Sequence, residues 1–272
     1  MNSSGSDLPS FENPPVEETA FSIQFSPLLR LSVPYFGLYW KCIRDEYPNS
    51  EVQHPLNAEF EQFESASHRS PVSFQFMTEP EVRCWYIDKT KNRLIQIQRD
   101  RFVYNWRRIV GDETYPRYPN LNGALQKEWL RFLTFLENEE IGLPEINQCE
   151  VTYVNQIEFG LGWNGFAELD KVIAPWSGKG SGDFLPAPER VRIEAQYRLP
   201  EKLGRLHVSV VPAIRGRDSK ELLQINLVAR GAPVSSKIED ILDWFDLGRE
   251  WVVKGFADIT ADNMHRIWSR TT

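Results

Sequence analysis

The chain has 272 residues, 41% of them hydrophobic, and a formal net charge of −7 from 31 basic and 38 acidic side chains. A chain of this size buries a sizeable core without disulfide or metal support, which excludes collagen-like, wholly disordered and small disulfide-scaffold proteins. Its longest uncharged run, Thr19 to Leu29, is eleven residues, against about 20 for a membrane span, and the acidic balance argues against a general nucleic-acid or membrane binder.

Residues 1–18 hold Ser, Gly, Asn, Pro and four acids, and read as a disordered acidic tail without the basic and apolar regions of a secretory leader. Ala20 to Leu28 alternates as a strand, with Phe21, Ile23 and Phe25 on one face. Residues 34–46 predict a helix: Pro34 suits a first helical position, and Tyr35, Leu38, Tyr39, Cys42 and Ile43 recur at helical spacing. The stretch 49–70 reads as polar and irregular. Strands are expected at 72–77, 82–88, 92–98 and 100–107. Leu125, Trp129, Phe132, Leu133 and Leu136 then mark a helix over 119–139, with Asn120 or Asn122 as its cap.

Residues 140–147 form a joint. A strand follows at Cys149–Phe159, then a Gly-, Trp- and Pro-rich stretch to 188, then strands near 190–199, 204–214 and 220–230. A long helical segment closes the chain. Ser235 or Ser236 is expected to cap it, Gly248 and Gly255 to bend it, and Met264, Ile267 and Trp268 to face inward. The predicted fold is α+β, a mostly antiparallel sheet with amphipathic helices. It divides into two topologically similar halves, 19–143 and 148–272, each closed by a helix and packed separately or as one sheet.

Gly160, Gly162 and Gly165 spell a dinucleotide-type GxGxxG after a predicted strand. No βαβ unit follows, however, and Trp163 fills the turn, so a turn or bulge is the better reading. Ser177 to Gly182 has the letters of a phosphate loop in the wrong order and reads as a surface loop. His54, His68, His207 and His265 form no ligand pair, so neither metal nor cofactor is expected. Cys42, Cys84 and Cys149 form no CxxC and read as reduced thiols of a cytoplasmic protein. No nucleophile motif is present.

Residues 81–108 carry eight basic and three acidic residues with interleaved aromatics. In 101–107 the pattern places Phe102, Tyr104 and Trp106 on one face, and Arg101, Val103, Asn105 and Arg107 on the other. Such strands form a solvated face over an aromatic core, meet an acidic protein partner, or bind single-stranded nucleic acid. Arg99, Arg101, Tyr104, Asn105, Trp106 and Arg107 are the candidate partner-binding residues. Glu150, Arg230, Arg249 and Glu250 are candidates for a polar pocket near the joint, with the Arg230 guanidinium placed to meet Glu150 or Glu250.

Seven ordered segments carry a resemblance: FGLYWKCIRDEYP (36–48), RLIQIQRDRFVYNWRR (93–108), YPRYPNL (115–121), CEVTYVNQI (149–157), GRLHVSVVPAIR (204–215), LVARGAP (227–233), and DLGREWVVKGFADIT with MHRIWSR (246–270). Together they resemble a sporadically distributed, functionally uncharacterised bacterial protein family over about residues 20–270. The resemblance implies no catalytic residues. The family's patchy occurrence implies accessory genes such as toxin–antitoxin and phage-defence modules. The expected function is a non-enzymatic module that binds another bacterial protein as the neutralising or sensing component of such a system. The alternatives are an enzyme of unrecognised type with a pocket between the halves, using Glu150, Arg230, His207 and Arg249, and a single-stranded nucleic-acid binder acting through strands 93–108.

Overall fold

The alternation read in 101–107 extends across a whole sheet. The computed structural model describes residues 8–63, 81–177 and 184–272. The strands are β1 (Val16–Phe25), β2 (Asn49–Gln53), β3 (Arg83–Ile87), β4 (Arg93–Gln98), β5 (Arg101–Arg107), β6 (Ile146–Glu158), β7 (Ile193–Arg198), β8 (Arg205–Ile214) and β9 (Glu221–Gly231). The helices are α1 (Val33–Ile43), α2 (Tyr118–Asn138), α3 (Ile238–Ile259) and α4 (Asp262–Ile267). The nine strands form one sheet in the order β2-β3-β4-β5-β1-β6-β9-β8-β7, and every neighbouring pair is antiparallel. The strand expected at 72–77 lies outside the described residues. Strand β2 falls in the stretch read as irregular: it is short, polar and exposed at an edge, and so lacks the apolar signal of an inner strand.

The two halves meet at the central β1–β6 ladder, where Phe21 pairs with Val151 and Ile23 with Cys149. Outward from it run β5, β4, β3 and β2 on one side and β9, β8 and β7 on the other. Each half therefore places its first strand innermost and its last strand next to it, and follows that last strand with a long helix. The halves share one continuous sheet because both innermost strands are buried. In β1, Phe21, Ile23 and Phe25 are 0–1% exposed, and an unpaired edge there would leave backbone donors and acceptors unsatisfied.

One face of the sheet is apolar and carries the helices. Phe102 lies 5.4 Å from both Trp129 and Phe132 of α2, and Phe21 lies 5.7 Å from Phe245 of α3. Gly248 and Gly255 do not bend α3, which runs unbroken to Ile259. A Cβ on Gly248 would lie 3.1 Å from Val151, and one on Gly255 would lie 2.5 Å from Leu206. These glycines let the helix approach the sheet closely. Neither expected cap is used: α2 and α3 begin after Arg117 and Lys237 without a side-chain cap bond. Asn120 instead donates to the Pro116 carbonyl, and Ser236 accepts from the Ile146 amide.

The disordered-tail reading of residues 1–18 is corrected for the described part. Phe11 is 6% exposed and packs its ring 5.5–6.0 Å from Phe256, His265 and Trp268. Backbone amides of Glu12 and Asn13 donate to the Ser269 and Trp268 carbonyls. One buried aromatic together with backbone hydrogen bonds to residues 268–271 and to Arg117 anchors this polar stretch, a gain that average composition does not register.

The same latch buries His265. Arg270 donates to its Nδ1 at 3.2 Å, so its Nε2 proton points at Thr260 Oγ1, 2.8 Å away, and that hydroxyl donates to the Phe256 carbonyl. The chain of donors is complete only with a neutral ring. Burial, reinforced by Arg270, holds the imidazole below its ordinary value of 6.5. The unfolded chain therefore binds this proton more readily, and stability falls as pH drops below about 6.5. Thermal unfolding between pH about 7.5 and 5.5 should show this loss, and His265→Gln should reduce it. An undiminished slope in the variant would exclude His265 as its source.

Candidate functional site

The second face of the sheet is polar, yet much of it is buried. Strand β1 contributes Ser22 and Gln24, β4 contributes Gln96 and Gln98, β5 contributes Arg101 and Asn105, and β6 contributes Gln148, all 2–7% exposed. They alternate with the core residues of the same strands, so the period of two that builds the core also builds this face. Glu150, Arg230, Arg205 and His207 continue it across β6, β9 and β8.

Residues 56–63 cross this face as an extended strap, at an angle to the strands. The Gln98 side chain accepts from the Leu56 amide and donates to its carbonyl, both at 2.9 Å. Arg101 donates to the Asn57 carbonyl at 2.8 Å. Gln24 repeats the two-sided grip on Glu59, accepting from its amide at 3.1 Å and donating to its carbonyl at 3.3 Å. Two glutamine amides thus act as sheet partners for the backbone of a segment that belongs to no sheet.

Beyond Glu59 the contacts become ionic. Arg230 pairs with Glu59 and donates through Nε to Glu150 at 2.7 Å. Glu61, with a side chain 7% exposed, sits 2.5 Å from both Arg205 and His207 Nε2. Burial opposes its charge, but the hydrogen bonds from His207 and Arg205 outweigh that and hold its carboxyl below the usual range. Arg205 also donates to the Gln62 carbonyl at 2.7 Å and lies 4.5 Å over the Phe63 ring, with Arg198 at 5.7 Å. Glu59, Glu61 and Phe63 therefore reach the sheet, while Phe60 between them is 53% exposed.

The sequence-derived candidates are distributed by this geometry. Arg101 is at the centre of the strap contact. Asn105 is buried nearby, donating to Glu18 and accepting from Gln96, each at 2.7 Å. Arg107 lies toward the sheet end, 5.5 Å over the Trp85 ring, and Arg99 donates to the Leu29 carbonyl at 3.2 Å. Tyr104 and Trp106 are corrected: at 1% and 4% exposure they belong to the helix-side core, because residues at even positions in β5 face the helices. A nucleic-acid platform that needs those rings for stacking loses them.

The four-residue polar pocket is likewise divided. Glu150 and Arg230 meet on the polar face. Arg249 lies on the helix side, 4.7 Å over the Tyr118 ring, where it lines a cavity of about 120 Å³ with Phe11, Tyr115 and Tyr153. Glu250 pairs with Lys254 along α3. The proposed enzyme set of Glu150, Arg230, His207 and Arg249 thus faces two surfaces. The GxGxxG segment is a tight turn after β6: Gly160 and Gly162 take φ of +84° and +86°, and the buried Trp163 stacks 4.5 Å from Phe159. Most of the Ser177–Gly182 loop lies outside the described residues. The Cys149 thiol is fully buried and pushed up by that burial.

Sequence reading missed the strap itself, along with Gln24 and Gln98. The available signal was the alternation of Glu59, Glu61 and Phe63: Glu59 meets Gln24 of β1, and Glu61 and Phe63 meet Arg205 of β8.

No helix among the described residues is long and apolar enough to cross a membrane. No family model and no curated protein matches the chain. Among solved structures, DynU16, a protein from the dynemicin biosynthetic locus, is similar over 89% of this chain and 98% of its own, at 11% identity and a TM-score of 0.25. A likeness of that size carries no argument about function.

Proposed function

We propose that this protein is a non-enzymatic interaction module that holds an extended, acidic segment of another protein on the polar face of its sheet. The observation that carries this reading is the docking of residues 56–63, whose backbone is gripped by Gln98, Arg101 and Gln24 and whose carboxylates enter a row formed by Arg230, Arg205 and His207. The side-chain amides recognise main chain regardless of sequence, and the basic row adds selection for acids. Arginines presented this way are common anchors in protein interfaces. The resemblance to the sporadic bacterial family supplies the setting for the same proposal, a neutralising or sensing component of a toxin–antitoxin or phage-defence system.

The test is native affinity purification of the full chain, co-expressed with its neighbouring genes, beside Arg205→Ala/Arg230→Ala. Each lost charge-assisted contact costs about 2 kcal/mol, so a stoichiometric partner of the wild type should be retained at least about tenfold less by the variant. Unfolding curves check that the variant is folded. Equal retention by a folded variant would overturn the reading, as would co-purification of nucleic acid in place of protein.

A further inference from the structure

We infer that residues 56–63 are a resident competitor, a built-in pseudo-ligand that a partner's acidic segment must displace; this rests on the interaction reading above. The strap fits the face incompletely. Beneath it, Arg101 Nε and Gln148 Nε2 are buried donors without a hydrogen-bond partner. With the strap in place, the gap that they line with Ser22, Gln24, Glu150, Arg230 and the strap's own Glu59 has no room for a water molecule. Buried donors left unpaired destabilise the closed arrangement. Once the strap and its Glu59 leave, an occupant whose carboxylate or carbonyl reaches these two donors gains contacts that the chain's own segment does not make.

The strap also defines what such an occupant looks like. Position one is read only through its backbone by Gln98, as Leu56 is. Position four is read through its backbone by Gln24 and through a carboxylate by Arg230, as Glu59 is. Position six is a carboxylate for Arg205 and His207, and position eight is an aromatic ring for Arg205 and Arg198. The partner chemistry is therefore an extended peptide with two acids two residues apart, followed after one residue by an aromatic. Side chains between these positions are unselected: Asn57 and Gln62 are held only through their carbonyls, by Arg101 and Arg205, and the Phe60 side chain is exposed.

A tethered strap competes at an effective concentration on the order of millimolar. If it is closed about 90–99% of the time, it weakens binding of a free peptide about 10- to 100-fold. The probe is a fluorescent synthetic peptide copying residues 54–63, titrated by anisotropy into the full chain and into Glu59→Gln/Glu61→Gln, which releases the strap's charges while keeping its shape. The released variant should bind at least about tenfold tighter than the wild type. A peptide with both glutamates changed to glutamine should lose that gain. A folded released variant that binds no tighter than the wild type would overturn the inference.

Should that variant fail to fold, hydrogen exchange on the wild type decides. Excess unlabelled peptide should speed exchange of the Leu56 and Glu59 amides by exposing them, and unchanged exchange at millimolar peptide would overturn the inference. The two failures are distinguishable. If partner retention depends on Arg205 and Arg230 but strap release gains nothing, the competitor inference falls alone. If the peptide binds the released chain while partner retention ignores those arginines, the assignment of the partner to this face falls, and with it the claim that the partner displaces the strap.

Discussion

Replacing Phe132 by alanine is expected to lower the free energy of unfolding by about 4 kcal/mol. Phe132 is fully buried on α2 and packs its ring against four others: Tyr39 of α1 at 5.5 Å, Phe102 of β5 at 5.4 Å, Trp129 at 5.8 Å and Phe25 of β1 at 6.3 Å. None of these neighbours is at the end of a loop, so the cavity left by the ring has little freedom to collapse. For a chain of this size the loss corresponds to a fall in melting temperature of roughly 10 °C. Chemical denaturation of both proteins measures it directly, and Phe132→Leu should cost well under half as much. A loss below about 1.5 kcal/mol would show that the α2 layer does not seal this half of the sheet. The result also bears on the polar face, because Phe25 and Phe102 are one residue away from Gln24 and Arg101. The packing that sets the first pair on one side of the sheet sets the second pair on the other.

Gly231→Ala should cost about 3 kcal/mol, at the upper end of ordinary overpacking. Gly231 pairs with Cys149 at the end of β9, where the turn before β8 passes directly over it. A Cβ there would lie 2.0 Å from the Leu203 carbonyl oxygen and 2.9 Å from the Gly204 Cα. Gly204 is bound reciprocally, since its own Cβ would fall 2.3 Å from the Arg230 carbonyl oxygen. The Leu203 carbonyl is further held by the Trp244 indole at 3.1 Å. Backbone must therefore move against backbone. Gly255→Ala is the informative contrast: its Cβ would meet only the tip of the Leu206 side chain, which a rotamer change relieves, so a smaller loss is expected. If Gly231→Ala matches wild-type stability, the 203–204 turn yields freely and the close approach is not required. Because Arg230 is the adjacent residue, the same substitution should also weaken the strap contact, read as faster exchange of the Glu59 amide.

The fold was legible wherever burial follows chain-local periodicity. Phe21, Ile23 and Phe25, and then Phe102, Tyr104 and Trp106, announce strands with one apolar face. Leu125, Trp129, Phe132 and Leu136 announce a helix that covers such a face. The anchoring of the N-terminal segment was not legible, because it depends on the Phe11 ring and the backbone around it meeting Phe256, His265 and residues 268–271 at the far end of the chain. Gly248 and Gly255 were readable as special positions. Whether a helical glycine serves a bend or a close approach depends on what lies opposite it, which no local pattern reveals.

By itself, then, the sequence determined the α+β class, the alternation of the strands, the long helices and the separation of arginines from aromatics in 101–107, all properties of residues a few positions apart. The tertiary structure alone decided that both halves share one sheet, that Arg249 and Glu250 stand apart from Glu150 and Arg230, and that residues 56–63 lie across the polar face. That last contact joins side chains to a backbone 35 to 143 positions away, with glutamine amides in place of a strand ladder. It therefore leaves no hydrophobic period in the strap from which its docking could be read.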